Sequence, residues 1–308
     1  MVERTLESAI SSDVSPAFDL SMHLLAAGGK RIRPALMILG AMATGECDPE
    51  RIASLAASAE LVHMASLVHD DVVDETRERR GAVTAAGSFG NKISVLGGDY
   101  LLSRAFQLLA IHATPDIMRS LSTTTVQMTE GEMLQAWAEG DLEVWQANYW
   151  RIIRDKTAGF MGACCECGAL LVGAEPSVRE RLCEYGVQLG LAFQITDDVL
   201  DLVGDRALTG KQTGMDLMDG KFTLPVLLAL RDWDGAGLLR EMLAKGRMSR
   251  SEAREAADMV IRCGAVDAAR PAALGCAEKA IEQLSEVGRS QYKDALIALA
   301  GFVISREG

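Results

Sequence analysis

Residues 50–74 read ERIASLAASAELVHMASLVHDDVVD. From Ile52 to Val68, apolar and small residues fall on every side of a helix rather than along one stripe. A helix that is apolar all round belongs at the centre of a large helical assembly. The run then ends on three carboxylates, Asp70, Asp71 and Asp74. Residues i and i+4 lie one above the other on a helix, so Asp70 and Asp74 project side by side, with Asp71 turned about 100° away. Like charges at that spacing cost a helix about 0.2–0.5 kcal/mol, and carboxylates closing an apolar segment are costlier still. A divalent cation removes both objections, and a few hard oxygen ligands open to water suit Mg²⁺.

The arrangement recurs. Asp197, Asp198 and Asp201 follow Leu189, Leu191, Ala192, Phe193 and Ile195, so DDVVD at 70–74 is echoed by DDVLD at 197–201. One such cluster is equally a solvated acidic helix end. Two copies, each ending an apolar helix and each followed by a polar segment with cations, favour the metal reading. Those segments are Glu75 to Asn91, with Arg77, Arg79 and Arg80, and Gly204 to Lys221, with Lys211 and Lys221. The net charge of −12 argues against a nucleic-acid partner and, globally, against an anionic substrate. Magnesium held by one or two carboxylates, however, completes its shell with phosphate oxygens. Carboxylates beside lysines and arginines therefore point to a diphosphate held by metal on one side and cations on the other. The candidates are Lys30, Arg31, Arg33, Arg79, Arg80, Lys156, Lys211 and Lys221. Gly28-Gly29-Lys30 is too short for a Walker-type nucleotide loop.

The rest of the chain has the same helical character. Segments at 17–27, 34–44, 50–73, 92–112, 116–138, 148–172, 177–203, 223–231, 251–263, 267–286 and 290–304 show helical spacing, and no convincing period-2 strand is present. Apolar content is 49% but aromatics only 5%, which favours helix over sheet. The expectation is an all-α, single-domain bundle over residues 1–308, with no linker. Seven cysteines without disulfide spacing suit a reducing, cytoplasmic setting. Cys164, Cys165 and Cys167 read as small core residues rather than a zinc site. Met1 to Ile10 carries Glu3 and Glu7 and no apolar signal region, and no transmembrane segment is expected. His63 and His69 sit near the first cluster; a lone His in an apolar helix is more often core, and His69 reads as a partner of the aspartates rather than a ligand. Met128, Met133 and Trp137 read as core or cavity lining.

The chain resembles the trans-isoprenyl diphosphate synthases, the polyprenyl synthetase family, over nearly its whole length. The blocks that carry the resemblance are GGKRIRP (28–34), ELVHMASLVHDDVVDETRERRG (60–81), GGDYLLSRAF (97–106), KTA (156–158), FQITDDVLD (193–201) and GKQTGMDLMDGKFTLP (210–225), in the family's order. The resemblance implies antiparallel helices around a deep central cavity, with the two aspartate motifs facing each other near its mouth. It implies a homodimer, or sometimes an unlike pair. Isopentenyl diphosphate would be joined to an allylic diphosphate with three Mg²⁺ ions. Asp70 and Asp74 resemble the ligands of two of these ions and Asp197 the main ligand of the third, with Asp71 and Asp198 completing the motifs. Arg79, Lys156, Thr157, Gln194 and Lys211 resemble the allylic-diphosphate site, with Lys221 nearby. Lys30, Arg33, His63 and Arg80 resemble the isopentenyl diphosphate site. Arg31 and Arg77 read as solvated charges, and Arg306 is a candidate to close over the site.

Product length is read from the same helix. Ser66 and Ala65 lie four and five residues before Asp70, about one turn down at roughly 1.5 Å per residue. In the family a bulky aromatic here floors the cavity. These small residues leave the path open and imply a long product, hexaprenyl to octaprenyl or beyond, as for a quinone side chain. The alternatives are a shorter farnesyl or geranylgeranyl product, a terpene cyclase, or a regulatory partner subunit. A cyclase needs neither a second DDxxD nor GGKRIRP, and regulatory partners commonly lose an aspartate motif.

Overall fold

A computed structural model of the chain describes residues 1–79, 82–203 and 214–306, residue 79 by its backbone alone. The described elements are almost all helical. They are α1 (Val2–Ala9), α2 (Ser15–Ala26), α3 (Ile32–Met42), α4 (Pro49–Val73), α5 (Ala85–Phe89), α6 (Asn91–His112), α7 (Pro115–Ala138), α8 (Leu142–Ile153), α9 (Gly159–Leu171), α10 (Pro176–Val203), α11 (Met215–Met218), α12 (Leu224–Asp232), α13 (Ala236–Leu243), α14 (Arg250–Arg262), α15 (Ala265–Gln283) and α16 (Gln291–Ile304). A five-residue π turn, Arg154–Ala158, joins α8 to α9. One antiparallel ladder, β1 (Glu78–Arg79) with β2 (Ala82–Val83), pairs Glu78 with Val83 and Arg79 with Ala82. The sequence shows no strand there because two residues per strand are too few for a period-2 pattern.

The chain divides into two compact units. The first comprises Met1–Thr125, Ala163–Cys183 and Glu286–Leu296. Its axis is α4, started by Pro49 in the first turn and by the Asp48 carboxylate, which accepts the Glu50 N–H at 3.1 Å. Ile52 to Leu61 are buried without a break. α4 is long and apolar enough to cross a membrane by length and composition, yet 78% of its most apolar stretch is buried inside the protein, as befits a core helix. α1, α3 and α6 pack on it.

Contacts between α3 and α9 in this unit are made through backbone. A methyl at Gly168 would stand 2.1 Å from the Met37 carbonyl oxygen, and one at Gly40 would stand 2.5 Å from that of Cys165. Cys164, Cys165 and Cys167 are buried as expected, and burial pushes the Cys164 thiol up to about 12 and the other two well above the usual range.

The second unit comprises Val126–Gly162, Glu184–Ser285 and Ile297–Gly308. Here α10 approaches the π turn and the start of α9 closely: methyls at Gly186 and Gly190 would meet Met161 and Ala158 backbone at 2.5 Å. α14 starts with a full capping box between Ser249 and Glu252. Met128 is buried, but Met133 and Trp137 are 68% and 69% exposed, so their assignment to core or cavity lining is corrected. Helical spacing placed them on one face, and a face can look outward as readily as inward.

Gly168→Ala forces a contact that helix backbone cannot yield, an overpacking cost of about 1–3 kcal/mol. It should lower the melting temperature followed by circular dichroism. Gly275→Ala, where nothing lies within 4 Å of the added carbon, should leave it unchanged or raise it.

Candidate active site

In the first unit, the loop before α3 and the end of α4 carry the candidate groups. Gly28 has φ +71°, Arg31 follows in the left-handed region at φ 49° and ψ 37°, and α3 begins at Ile32. Lys30 is exposed and Arg33 half-buried in the first turn of α3. Burial lowers the Arg33 pKa, against the opposing pull of Cys164, Glu60 and Asp70. Arg31 corrects its reading as a solvated charge. Its side chain is only 18% exposed, with Nε 2.8 Å from Glu3 Oε1 and Nη1 2.7 Å from Glu60 Oε1. Arg77 is exposed, as its reading as a solvated charge expects, and donates from Nη1 to the Ala86 carbonyl at 2.5 Å.

At the end of α4, Asp70 and Asp74 are partly exposed while Asp71 is 4% exposed. This is the 100° turn between neighbours made visible. His63 is half-buried on the same helix. The His69 ring packs on Gly98, with Nε2 3.2 Å from the Val95 carbonyl and 3.5 Å from Asp99. Ala65 is buried, and half-buried Ser66 turns its hydroxyl back to the His63 carbonyl at 2.9 Å. Arg80 and Lys211 lie outside the described residues, and Arg79 is described by its backbone alone.

In the second unit, Asp197 is partly exposed and Asp198 is 2% exposed, repeating the division seen at Asp70 and Asp71. The chain's profile match is to the polyprenyl synthetases, over residues 17–260. The chain belongs to that family. Its sequence is 37% identical over 307 residues to the all-trans-nonaprenyl-diphosphate synthase (geranyl-diphosphate specific) of Rhodobacter capsulatus, covering 99% of this chain and 94% of the relative. It is 36% identical over 290 residues to a geranylgeranyl pyrophosphate synthase of Geoglobus acetivorans, covering 92% and 89%. Among solved structures, a polyprenyl synthase of Caulobacter crescentus complexed with calcium and isoprenyl diphosphate superposes with a TM-score of 0.94 at 38% identity, covering 100% of this chain and 94% of that one. The fold is therefore the all-α bundle of isoprenoid synthases, as expected, and the protein is a trans-prenyltransferase. It condenses isopentenyl diphosphate with an allylic diphosphate to form a polyprenyl diphosphate.

The synthase holds its second motif through a connected network. Tyr149 donates its hydroxyl to Asp198 Oδ2 at 2.7 Å, Gln194 donates to Asp198 Oδ1 at 3.1 Å, and the Leu224 N–H approaches Oδ2 at 3.4 Å. Thr157 in turn donates to Gln194 Oε1 at 3.2 Å. Burial, and then Asp216, push the Asp198 carboxyl up to about 7 despite these donors. Asp201 accepts the Asp216 N–H at 3.2 Å. Lys156 sits in the π turn, 2.6 Å from Glu132 and 3.1 Å from Gln135 Oε1. π turns inside helices are frequent at functional sites. Lys221 lies 3.6 Å from Asp219, and Arg306 reaches Asp197 at 3.0 Å while covering the Phe193 ring at 4.7 Å.

Tyr149, Glu132, Gln135 and Glu60 were not among the sequence candidates. Glu60 alone had a signal, a carboxylate inside an apolar run. The donor set fits a divalent metal. Asp70, Asp74 and Asp197 are hard oxygen donors with exposed faces. Among the described residues no three His, Cys, Asp or Glu side chains converge on one point, and Mg²⁺ completed by phosphate needs no such cage.

Tyr149→Phe removes one donor from a buried carboxylate, a loss of about 1–3 kcal/mol. The urea midpoint should fall with the slope unchanged. An unaltered midpoint would show that the hydroxyl does not hold Asp198.

Proposed function

We propose that the chain is a long-chain synthase making an all-trans polyprenyl diphosphate of the hexaprenyl to octaprenyl class or longer, for a quinone side chain in the cytoplasm. The observation that carries this is the pair of small residues one turn before Asp70: Ala65 buried within α4, and Ser66 with its hydroxyl satisfied on its own helix. If the growing chain runs down this part of α4, neither would place bulk in its path. Each added CH₂ that is buried contributes about 0.8 kcal/mol, so depth sets the end point. Similarity to relatives of both long and short product leaves this decision to such residues.

Residues 1–308 act as one synthase domain. Asp70 and Asp74 would hold two Mg²⁺ ions and Asp197 a third, with Asp71 and Asp198 completing the motifs. The metal, when bound, supplies positive charge that stabilises diphosphate as a leaving group. Arg79, Lys156, Lys211 and Lys221 add cationic charge to the allylic diphosphate, with Thr157 and Gln194 orienting it. Lys30, Arg33, His63 and Arg80 hold isopentenyl diphosphate. The allylic C–O bond breaks, the double bond of isopentenyl diphosphate attacks the resulting cation, and the proton then lost passes to the departed diphosphate. Apolar helix walls keep water from the cation.

A second copy of the chain is the expected partner. On α7, Val126, Met133 and Trp137 are exposed and lie within about 20° of one line down the helix. An exposed apolar stripe of this kind supports a homodimer.

The test is a chromatogram of dephosphorylated products from the purified chain with isopentenyl diphosphate, Mg²⁺ and a set of allylic primers. Products of six or more isoprene units are expected, and three or four would refute the long-chain reading. Ala65→Tyr should shorten the product sharply while the first condensation persists; an unchanged product would refute the stated path.

Asp70→Asn and Asp197→Asn should each cut turnover by orders of magnitude with helical content intact. Chelation should abolish activity in the wild type and Mg²⁺ restore it. Near-normal turnover in either variant would overturn the metal assignment.

A further inference from the structure

Arg31 occupies a backbone conformation that a non-glycine side chain adopts only where its surroundings impose it. Two carboxylates supply that imposition. Glu60, 5% exposed at its side chain, accepts from Nη1 at 2.7 Å, and Glu3 in the first turn of α1 accepts from Nε at 2.8 Å. The guanidinium is drawn back over the loop, so a methyl at Gly29 would stand 3.2 Å from Nη1. The Arg31 carbonyl oxygen then accepts the Ala35 N–H at 3.0 Å and starts α3. The left-handed turn thus sets two directions at once. It sets where the chain leaves the exposed Lys30, and where the first turn of α3 presents Arg33.

The clamp also commits the Arg31 charge. A guanidinium paired with two carboxylates is neutralised locally and does not compete for a phosphate. Glu60 lies three residues before His63, on the same side of α4. The residue that holds the turn and the proposed substrate contact are therefore carried by one helical turn.

We propose that Arg31, clamped between Glu3 and Glu60, is a positioning residue that fixes the left-handed turn from which Lys30 and Arg33 face isopentenyl diphosphate. This rests on the reading that Lys30 and Arg33 hold that substrate. Glu60 is the principal anchor because it is buried. Glu3 is half-exposed and adds less, but it makes α1 part of the support for the substrate loop.

Steady-state kinetics with each substrate varied in turn test this. Lys30→Ala should raise KM for isopentenyl diphosphate. Glu60→Gln should raise the same KM about tenfold, as expected for loss of a charged hydrogen bond, with kcat and the allylic KM changed less than about twofold, the pattern of a lost binding contribution. Glycine adopts the left-handed turn without cost. The double variant Arg31→Gly with Glu60→Gln should therefore recover most of the affinity, and Arg31→Ala with Glu60→Gln should not. Glu3→Gln, at a half-exposed site that folding tolerates, should show the same split in smaller size. An isopentenyl KM altered by Lys30→Ala but not by Glu60→Gln or Glu3→Gln would overturn the inference alone. So would Gly and Ala doubles of equal affinity, or a parallel change of kcat and both KM values. A Lys30→Ala enzyme with unchanged isopentenyl KM would overturn the assignment of the substrate site, and the inference with it.

Discussion

Negative charge at the wrong end of a buried helix is the constraint on which the site depends. A helix C-terminus carries partial negative charge, so carboxylates there are disfavoured, and neighbouring carboxylates add repulsion. Asp70, Asp71 and Asp74 close α4, and Asp197, Asp198 and Asp201 lie in the last turns of α10. The protein accepts this cost twice, and much of the surrounding structure in the second unit offsets it. Tyr149, Gln194 and the Leu224 N–H converge on Asp198; the Asp216 N–H meets Asp201; Arg306 meets Asp197. Removing such partners leaves carboxylates in apolar surroundings, where folding alone gives no reason to keep them. The divalent metal proposed for this site would supply one.

How far the sequence reaches is clearest in α4 itself. The apolar run at 50–73 matches a helix at Pro49–Val73 because apolarity on every side and a proline in the first turn are local signals. α10 was legible for the same reasons, from Pro176 onward. α1 was missed because VERTLESA is mostly polar, and α13 because the preceding DWDGAG reads as turn. The segment read as one helix at 148–172 begins earlier, at Leu142, where Asp141 accepts the N–H groups of Glu143 and Val144. It then passes through a π turn at Lys156, which no residue-level periodicity marks.

The site was legible by residue type more than by partner. Aspartates at i and i+4 announce a face, and lysines and arginines near them announce charge. Nothing local announces that Arg31 meets Glu60, 29 positions away, or that Lys156 leans on Glu132. Both were read by charge alone, which for Arg31 gave a solvated residue. The exposed Met133 and Trp137 show the same gap in apolar form. Spacing fixes which residues share a line on a helix, and only packing fixes whether that line is covered.

The two aspartate motifs also show why adjacent identical residues carry unlike duties. A rotation of about 100° per residue separates the first two aspartates of each motif. On α4 it leaves Asp70 partly open and takes Asp71 inside; on α10 it leaves Asp197 partly open and takes Asp198 inside. Asp198, with Tyr149, Gln194 and the Leu224 N–H around it, is held in one place. An outward carboxylate is open to solvent and to charged partners, as Asp197 is to Arg306 at 3.0 Å. On α10 the inward Asp198 ties its turn of helix to Tyr149 and to the Leu224 N–H, and Asp197 projects from that same turn. The pairing follows from helix geometry alone, which is why it recurs at both ends where an apolar helix is closed by Asp-Asp.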